Sequence, residues 1–349
     1  MKRFTAAAAT LIAGKRGRAM NVAKAPHRLA HSDIRKPNAS PESHLADASF
    51  CFRGIDNTRG HNPKVDQEQT STMIDFVTYP VSAEDLAAFQ RDGAVCLRNV
   101  VPKEDVARLR EASIAFMNEG RGRTRDGSTD MNAKGRFFSA AFLGAIDKRF
   151  NDFAANSVLP EVAAQLMETD QVRFYYDQLF IKEPGATSPT AWHNDLPYWP
   201  LLGEDILSLW VALTPVSRET SGVQYLAGSH RWNTMFRAIT PDNDPKFMDY
   251  DLEPCPNYSD PEISRDHEVL SWDLQPGDVL AHHPLTAHGA GGNASASAIR
   301  IGLSIRYLGR DVRWSPRPFV MKLPIEPQVA PGQFPADDLA FPIVGSGAG

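Results

Sequence analysis

Ile299-Arg300-Ile301-Gly302-Leu303-Ser304-Ile305-Arg306-Tyr307 alternates without a break. Ile299, Ile301, Leu303, Ile305 and Tyr307 fall on one face. Arg300, Gly302, Ser304 and Arg306 fall on the other. This period of two marks a β-strand with one apolar and one polar face. An arginine turned into a barrel is costly unless it meets an anion. Its planar fork grips a carboxylate through two parallel hydrogen bonds. Arg300 is the candidate for that contact. Arg306, three inward positions further along, is its rival.

Working back from this strand, Pro276 to Asn293 holds three histidines, His282, His283 and His288. Further back, Thr190 to Trp199 reads Thr-Ala-Trp-His-Asn-Asp-Leu-Pro-Tyr-Trp. In a strand, residues i and i+2 share a face, so His193 and Asp195 converge on one point. Two ligands leave most of a metal's coordination sphere empty, so a third must come from elsewhere. His288 is the candidate, with His282 and His283 as alternatives. Two histidines and one carboxylate, with open positions opposite, suit non-haem Fe(II). His-x-Asp by itself is equally a surface turn. His230, in Gly-Ser-His, reads as a turn residue, and His31, His44 and His61 lie in a segment of little order. Tyr198 and Trp199 follow the ligands directly. They are candidates for substrate contact, or for a rigid packed turn with Pro197 and Pro200.

The order His-x-Asp, distant His, then Arg on the next strand resembles the Fe(II)/2-oxoglutarate oxygenases, and within them the phytanoyl-CoA dioxygenase family. The pieces that carry the likeness are His193 to Trp199, Leu209-Trp210-Val211-Ala212-Leu213, Gly228-Ser229-His230, Pro276-Gly277-Asp278, His288-Gly289 and Arg300. They span most of the chain between Val81 and Leu308. The resemblance implies a double-stranded β-helix with Fe(II) on His193, Asp195 and His288. It favours His288 because the family's distal His-Gly stands nearly as far ahead of its arginine. It also implies 2-oxoglutarate as co-substrate, clamped by Arg300 and flanked by Trp210, Leu179 and Ile181. O2 is the second co-substrate, with succinate and CO2 formed. Ala290 stands where some relatives carry a serine, which removes one hydrogen bond to the co-substrate. Halogenases of this fold replace the carboxylate ligand with a small residue. Asp195 is present here, which favours hydroxylation.

The rest of the chain fits a globular protein. Hydrophobic residues make up 42% and charged residues 23%, ordinary values for a soluble domain. No apolar run approaches the roughly 18 residues that cross a bilayer. Cys51, Cys96 and Cys255 are odd in number and far apart, which points to a reducing compartment. The net charge of −5 argues against nucleic acid as partner. Lys2, Arg3, Lys15, Arg16, Arg18, Lys24 and Arg28 are the only charged residues of the first 32, so residues 33–349 carry −12. That basic start reads as a disordered extension or as sequence ahead of a true start at Met20 or Met73, with a transit peptide as alternative. Ala25 to Thr72 is polar and without periodicity.

Order is expected from Val81. Helices are expected over Leu86–Arg91, from Pro102 to Gly120 and from Leu159 to Glu168. Arg121 to Gly135 reads as a loop. Strands are expected over Ala94–Arg98, Val172–Lys182, Ile206–Val216 and Gly222–Leu226. Ile206–Val216 is apolar on both faces, hence buried, with Ser208, Trp210 and Ala212 on one of them. Arg237 to Asp266 is a long polar excursion, which inside a compact domain is a lid, a binding loop or disorder.

These features predict a mainly β fold, a double-stranded β-helix (jelly roll) with flanking N-terminal helices. The expected parts are an extension over 1–72, the jelly-roll domain over 73–320 and a Pro/Gly-rich C-terminal tail over 321–349. The expected activity is Fe(II)/2-oxoglutarate-dependent hydroxylation of a small organic or lipid-like molecule, in the cytoplasm, or in an organelle if the basic start is a transit peptide. The alternatives are a jelly-roll metal-binding or sensing protein without turnover, and a metal-dependent hydrolase or isomerase on the same triad. The sequence carries no signal of oligomeric state.

Overall fold

A computed structural model describes residues 78–125, 135–240 and 244–346. The extension over 1–72 and most of the loop over 121–135 lie outside the described residues.

Two helices, α1 (Ala83–Asp92) and α2 (Lys103–Asn118), flank the strand β1 (Ala94–Leu97). After β2 (Arg123–Arg125) and β3 (Phe137–Ala141) come α3 (Lys148–Asn156) and α4 (Leu159–Leu166). The strands β4 (Gln171–Lys182), β5 (Thr190–His193), β6 (Leu201–Leu202), β7 (Ile206–Ala212) and β8 (Val223–Leu226) follow. A one-turn helix, α5 (Pro261–Ser264), precedes β9 (Val269–Ser271), β10 (Val279–His282), β11 (His288–Ala290), β12 (Arg300–Leu308), β13 (Arg313–Trp314) and β14 (Ile343–Ser346). The expected helices and strands are all present, with ends shifted by a few residues. Ser82 caps α1 by accepting the Asp85 N–H, and Gly93 ends it at φ 74°, a conformation that suits glycine.

The strands form two main antiparallel sheets. The larger runs β1-β10-β7-β12-β4-β3-β2, with β14 also on β4. The smaller runs β5-β11-β8-β9. This is the jelly roll. The alternation of β12 sets its two sides. Ile301, Leu303, Ile305 and Tyr307 pack outward against the helices, in one core with Phe116, Phe150, Leu159 and Val162. Each such fully buried side chain contributes about 1.5–3 kcal/mol. The Tyr307 hydroxyl donates to Ala154 O at 2.8 Å and pins α3 to the sheet. Arg300, Gly302, Ser304 and Arg306 face inward, and all are buried.

Register corrects one expectation. Leu179 stands opposite Leu303, and Ile181 opposite Ile301. Cross-strand partners share a face, so both belong to the helix-side core and not to the co-substrate side. The inward residues of β4 are Tyr176, Gln178, Phe180 and Lys182, opposite Arg306, Ser304, Gly302 and Arg300.

Part of the segment after 320 packs on the sheet rather than trailing. β14 pairs with β4, Phe341 is fully buried, and Arg173 donates to its carbonyl at 2.7 Å. The excursion over 237–266 is mostly irregular but anchored where it is described. The Tyr198 hydroxyl donates to Ile239 O and accepts from Ile239 N, both at 2.7 Å. Trp192 donates to Ser259 Oγ at 2.9 Å. No helix among the described residues is long and apolar enough to cross a membrane.

Candidate metal centre

The smaller sheet brings the histidines together. β5 and β11 are antiparallel with His193 directly opposite His288, and Tyr225 of β8 lies on the other side of His288. The His193 and His288 ring centroids are 4.3 Å apart. His193 Nδ1 lies 2.8 Å from Ala191 O, and His288 Nδ1 lies 2.9 Å from Thr286 O. A carbonyl can only accept, so Nδ1 carries the proton in each ring. Both Nε2 lone pairs are left to face the same point.

Asp195 reaches that point by a different route from the one its spacing implied. The strand stops at His193, and Asp195 has helical angles at the start of a 3-10 turn over Leu196–Tyr198. Its N–H donates to Pro284 O at 2.8 Å. The Asn194 amide donates to Thr234 O at 2.7 Å and accepts from Phe236 N at 3.2 Å. These clamps, not strand alternation, turn the carboxylate inward. Asp195 Oδ1 lies 3.5 Å from His193 Nε2 and 3.9 Å from His288 Nε2. One donor atom from each of the three residues lies within 4.8 Å of the others.

The protonation states suit a metal. Burial holds the His288 imidazole well below its ordinary range, and His193 beside it acts in the same direction. His288 is therefore neutral. Burial pushes the Asp195 carboxyl up, but Arg306, then His193, His282 and His288, outweigh it and hold the group well below the carboxylate range. The set is two imidazoles and one carboxylate, a donor set for Fe(II).

Of the alternative ligands, His283 turns away. Its Nδ1 accepts the Leu285 N–H at 3.2 Å, and its Nε2 lies 3.2 Å from Glu204. His230 lies 3.3 Å from Gln90 O, in a turn. His282 does reach the site but contacts the other oxygen of Asp195, with Nε2 3.5 Å from Oδ2.

Arg300 is 2% exposed. Its Nε and Nη2 donate to Ser221 O at 3.2 and 2.9 Å, and it lies 5.2 Å from the Trp210 ring centroid. A Cβ on Gly302 would overlap the Trp210 ring, so glycine is what admits the indole beside the arginine. Burial pushes the Arg300 guanidinium down to about 10. Among the described residues no carboxylate lies within ion-pair distance of it.

Of the two residues after the ligands, Tyr198 edges onto His193, with ring centroids 5.8 Å apart. Trp199 does not face a substrate space. It is 1% exposed, donates to the Tyr176 hydroxyl at 2.9 Å and packs against Tyr175 and Tyr176. The packed-turn reading holds for it. Three further residues meet Asp195 in roles the sequence reading did not give them: His282, there an alternative ligand; Arg306, there the rival clamp; and Ser208, there only placed on a face of its strand. Ser208 Oγ donates to Oδ2 at 3.3 Å, and Arg306 Nη2 lies 3.7 Å from it. Ser208 shares the inward face of its strand with Trp210, and Arg306 shares that of Arg300. Alternation placed both on those faces, but it carries no record of the contact with Asp195.

The family model for phytanoyl-CoA dioxygenase matches residues 89–302. A multifunctional dioxygenase, ausE, of Penicillium brasilianum is 25% identical over 239 residues, covering 65% of this chain and 72% of that protein. An ectoine dioxygenase of Sphingopyxis alaskensis is 25% identical over 224 residues, covering 61% and 72%. The crystal structure of the epimerase SnoN in complex with Fe3+, alpha-ketoglutarate and nogalamycin RO superposes with a TM-score of 0.59 at 21% identity, over 74% of this chain and 97% of that one. The likeness to SnoN is one of fold. With the family model spanning more than half of its length, the chain belongs to the phytanoyl-CoA dioxygenase family.

Proposed function

We propose that this protein is a non-haem Fe(II)/2-oxoglutarate-dependent dioxygenase that hydroxylates an unactivated C–H bond of a small organic or lipid-like molecule. In that reaction 2-oxoglutarate and O2 are consumed, succinate and CO2 are released, and one oxygen atom enters the substrate. His193, Asp195 and His288 would hold the metal. Fe(II) would supply the oxidation, coupled to loss of CO2 from 2-oxoglutarate. Arg300 would orient the co-substrate by its far carboxylate, with Trp210 as a wall. Tyr198 would border the substrate and tie the 237–266 loop to the site.

The observation that carries this reading is Arg300, a buried guanidinium that makes no ion pair within the described protein. A structural metal needs no such group, whereas a dicarboxylate co-substrate does. Arg306 fits the clamp less well. It lies 3.7 Å from Asp195, while the far carboxylate is a whole carbon chain away from the metal. Relatives named for ectoine, and a structure holding nogalamycin RO, support a small-molecule substrate. A cytoplasmic setting accords with the free thiols of Cys96 and Cys255. A disulfide in protein isolated from cells would contradict that setting.

The test is to supply the purified protein with Fe(II), ascorbate and 2-oxoglutarate, add pools of small metabolites, and follow succinate and substrate mass. A gain of one oxygen atom matched to succinate is expected. Succinate formation that no pool stimulates, or substrate change without oxygen, would count against hydroxylation.

A further inference from the structure

We propose that His282, oriented by Tyr225, is a positioning residue that holds the outer oxygen of Asp195 and keeps that carboxylate a one-oxygen ligand. This rests on the metal reading given above. Across the larger sheet, Ser208 stands opposite His282 on one side and Arg306 on the other. All three face inward toward Asp195.

The two oxygens of Asp195 are sorted between these groups. Oδ1 lies 3.5 and 3.9 Å from the Nε2 atoms of His193 and His288. Oδ2 lies 3.3 Å from Ser208 Oγ, 3.5 Å from His282 Nε2 and 3.7 Å from Arg306 Nη2. One oxygen serves the metal side and the other serves three donors.

The tautomer of His282 is set by the carboxylate it faces, and its far nitrogen has a partner that suits it. The Tyr225 hydroxyl lies 3.3 Å from His282 Nδ1. A phenol carries its proton at neutral pH and can donate it. Nδ1 then accepts, and Nε2 carries the proton that faces Oδ2. The opposite tautomer would set a lone pair against a carboxylate. His282 Nε2 is buried and has no hydrogen-bond partner among the described residues; Oδ2, at 3.5 Å, is the acceptor it faces. Tyr225 also stacks on His288, at 28° and 5.7 Å between centroids, so one side chain braces a ligand and the residue behind another.

The consequence is a count of positions. A six-coordinate metal held by two imidazoles and one carboxylate oxygen would keep three positions, as many as a bidentate co-substrate and O2 together would need. A carboxylate that bound through both oxygens would take one of them.

The test uses Co(II), whose visible ligand-field bands depend on its ligand set. Outer partners of ligands typically contribute 10–100-fold to metal affinity. His282→Phe removes the donor and keeps a ring. It should weaken Co(II) binding by roughly that factor and shift the ligand-field bands, because a second carboxylate oxygen would replace a solvent ligand, with the melting temperature of the metal-free protein unchanged. His282→Gln, which keeps an N–H donor, should recover much of both. Wild-type affinity and spectrum in His282→Phe would overturn the proposal. If His282→Phe does not fold, Tyr225→Phe removes only the hydroxyl and is read in the same way. A wild-type protein that takes up no Co(II) would overturn the metal reading itself, and this proposal with it.

Discussion

Replacing Arg300 by alanine should raise the dissociation constant for 2-oxoglutarate roughly 150-fold. Arg300 is almost fully buried and, among the described residues, has a carbonyl, Ser221 O, but no carboxylate to offset its charge. Burial lowers its pKa from 12.5 to about 10. At 1.36 kcal/mol per unit, the charged form is held about 3 kcal/mol above its level in water. A bound carboxylate returns energy on that scale, and truncating one partner of a buried charged pair costs about 2–5 kcal/mol. Three kcal/mol is a little over two factors of ten. The assay is calorimetric titration of 2-oxoglutarate into Mn(II)-loaded protein without oxygen. Arg300→Lys should recover only part of the affinity, because an ammonium cannot pair bidentately. The number of metal ions bound should not change. A dissociation constant within threefold of wild type in Arg300→Ala would refute the reasoning. If Arg306→Ala then lost affinity instead, the clamp would be the other arginine.

Three further outcomes follow from positions away from the ligands. Leu179→Ala should lose about 2–5 kcal/mol of stability, as a core truncation does, while 2-oxoglutarate affinity in the folded protein stays put; a weakened affinity would return Leu179 to the site. Tyr198→Phe deletes both hydrogen bonds to Ile239 and should speed hydrogen exchange at Ile239 and across 244–266, with metal content retained; unchanged exchange would mean that the hydroxyl does not anchor the loop. Asp177 is raised to about 6, by burial first and against the Gly144 N–H. A raised carboxyl contributes fully below its unfolded value near 3.8 and loses that contribution as pH rises through 6. Asp177→Asn should therefore gain on wild type by roughly 2.4 kcal/mol between pH 4 and pH 7.5, read from urea midpoints; a difference that is flat with pH would contradict the assignment.

What the sequence could reveal depended on whether a contact was local. The strand over Arg300–Leu308 was legible because one face meets helices and the other a polar interior, and alternation records that difference directly. Leu179 was misplaced because β4 carries large residues on both faces. Only its pairing with β12, a contact across more than a hundred residues, tells which face is inside. His193 and Asp195 were recognisable as a pair. The turn that joins them depends on Asn194 gripping Thr234 and Phe236 from the start of the next loop, and nothing in the motif itself records that grip. Trp199 read as equally suited to substrate or to packing. Its indole N–H is claimed by Tyr176, which the sequence places on a distant strand. The end of the chain looked like a tail because its prolines mask a four-residue strand, too short to show a period.

The most direct test of the centre is to load the protein with Fe(II) under nitrogen, add 2-oxoglutarate, and record the visible charge-transfer band of the chelate. Wild type should bind one iron per chain and develop the band. His193→Ala and His288→Ala should lose the iron and the band together, because the two remaining ligands cannot hold Fe(II) in an open site. Full iron occupancy and an undiminished band in His288→Ala would contradict the account.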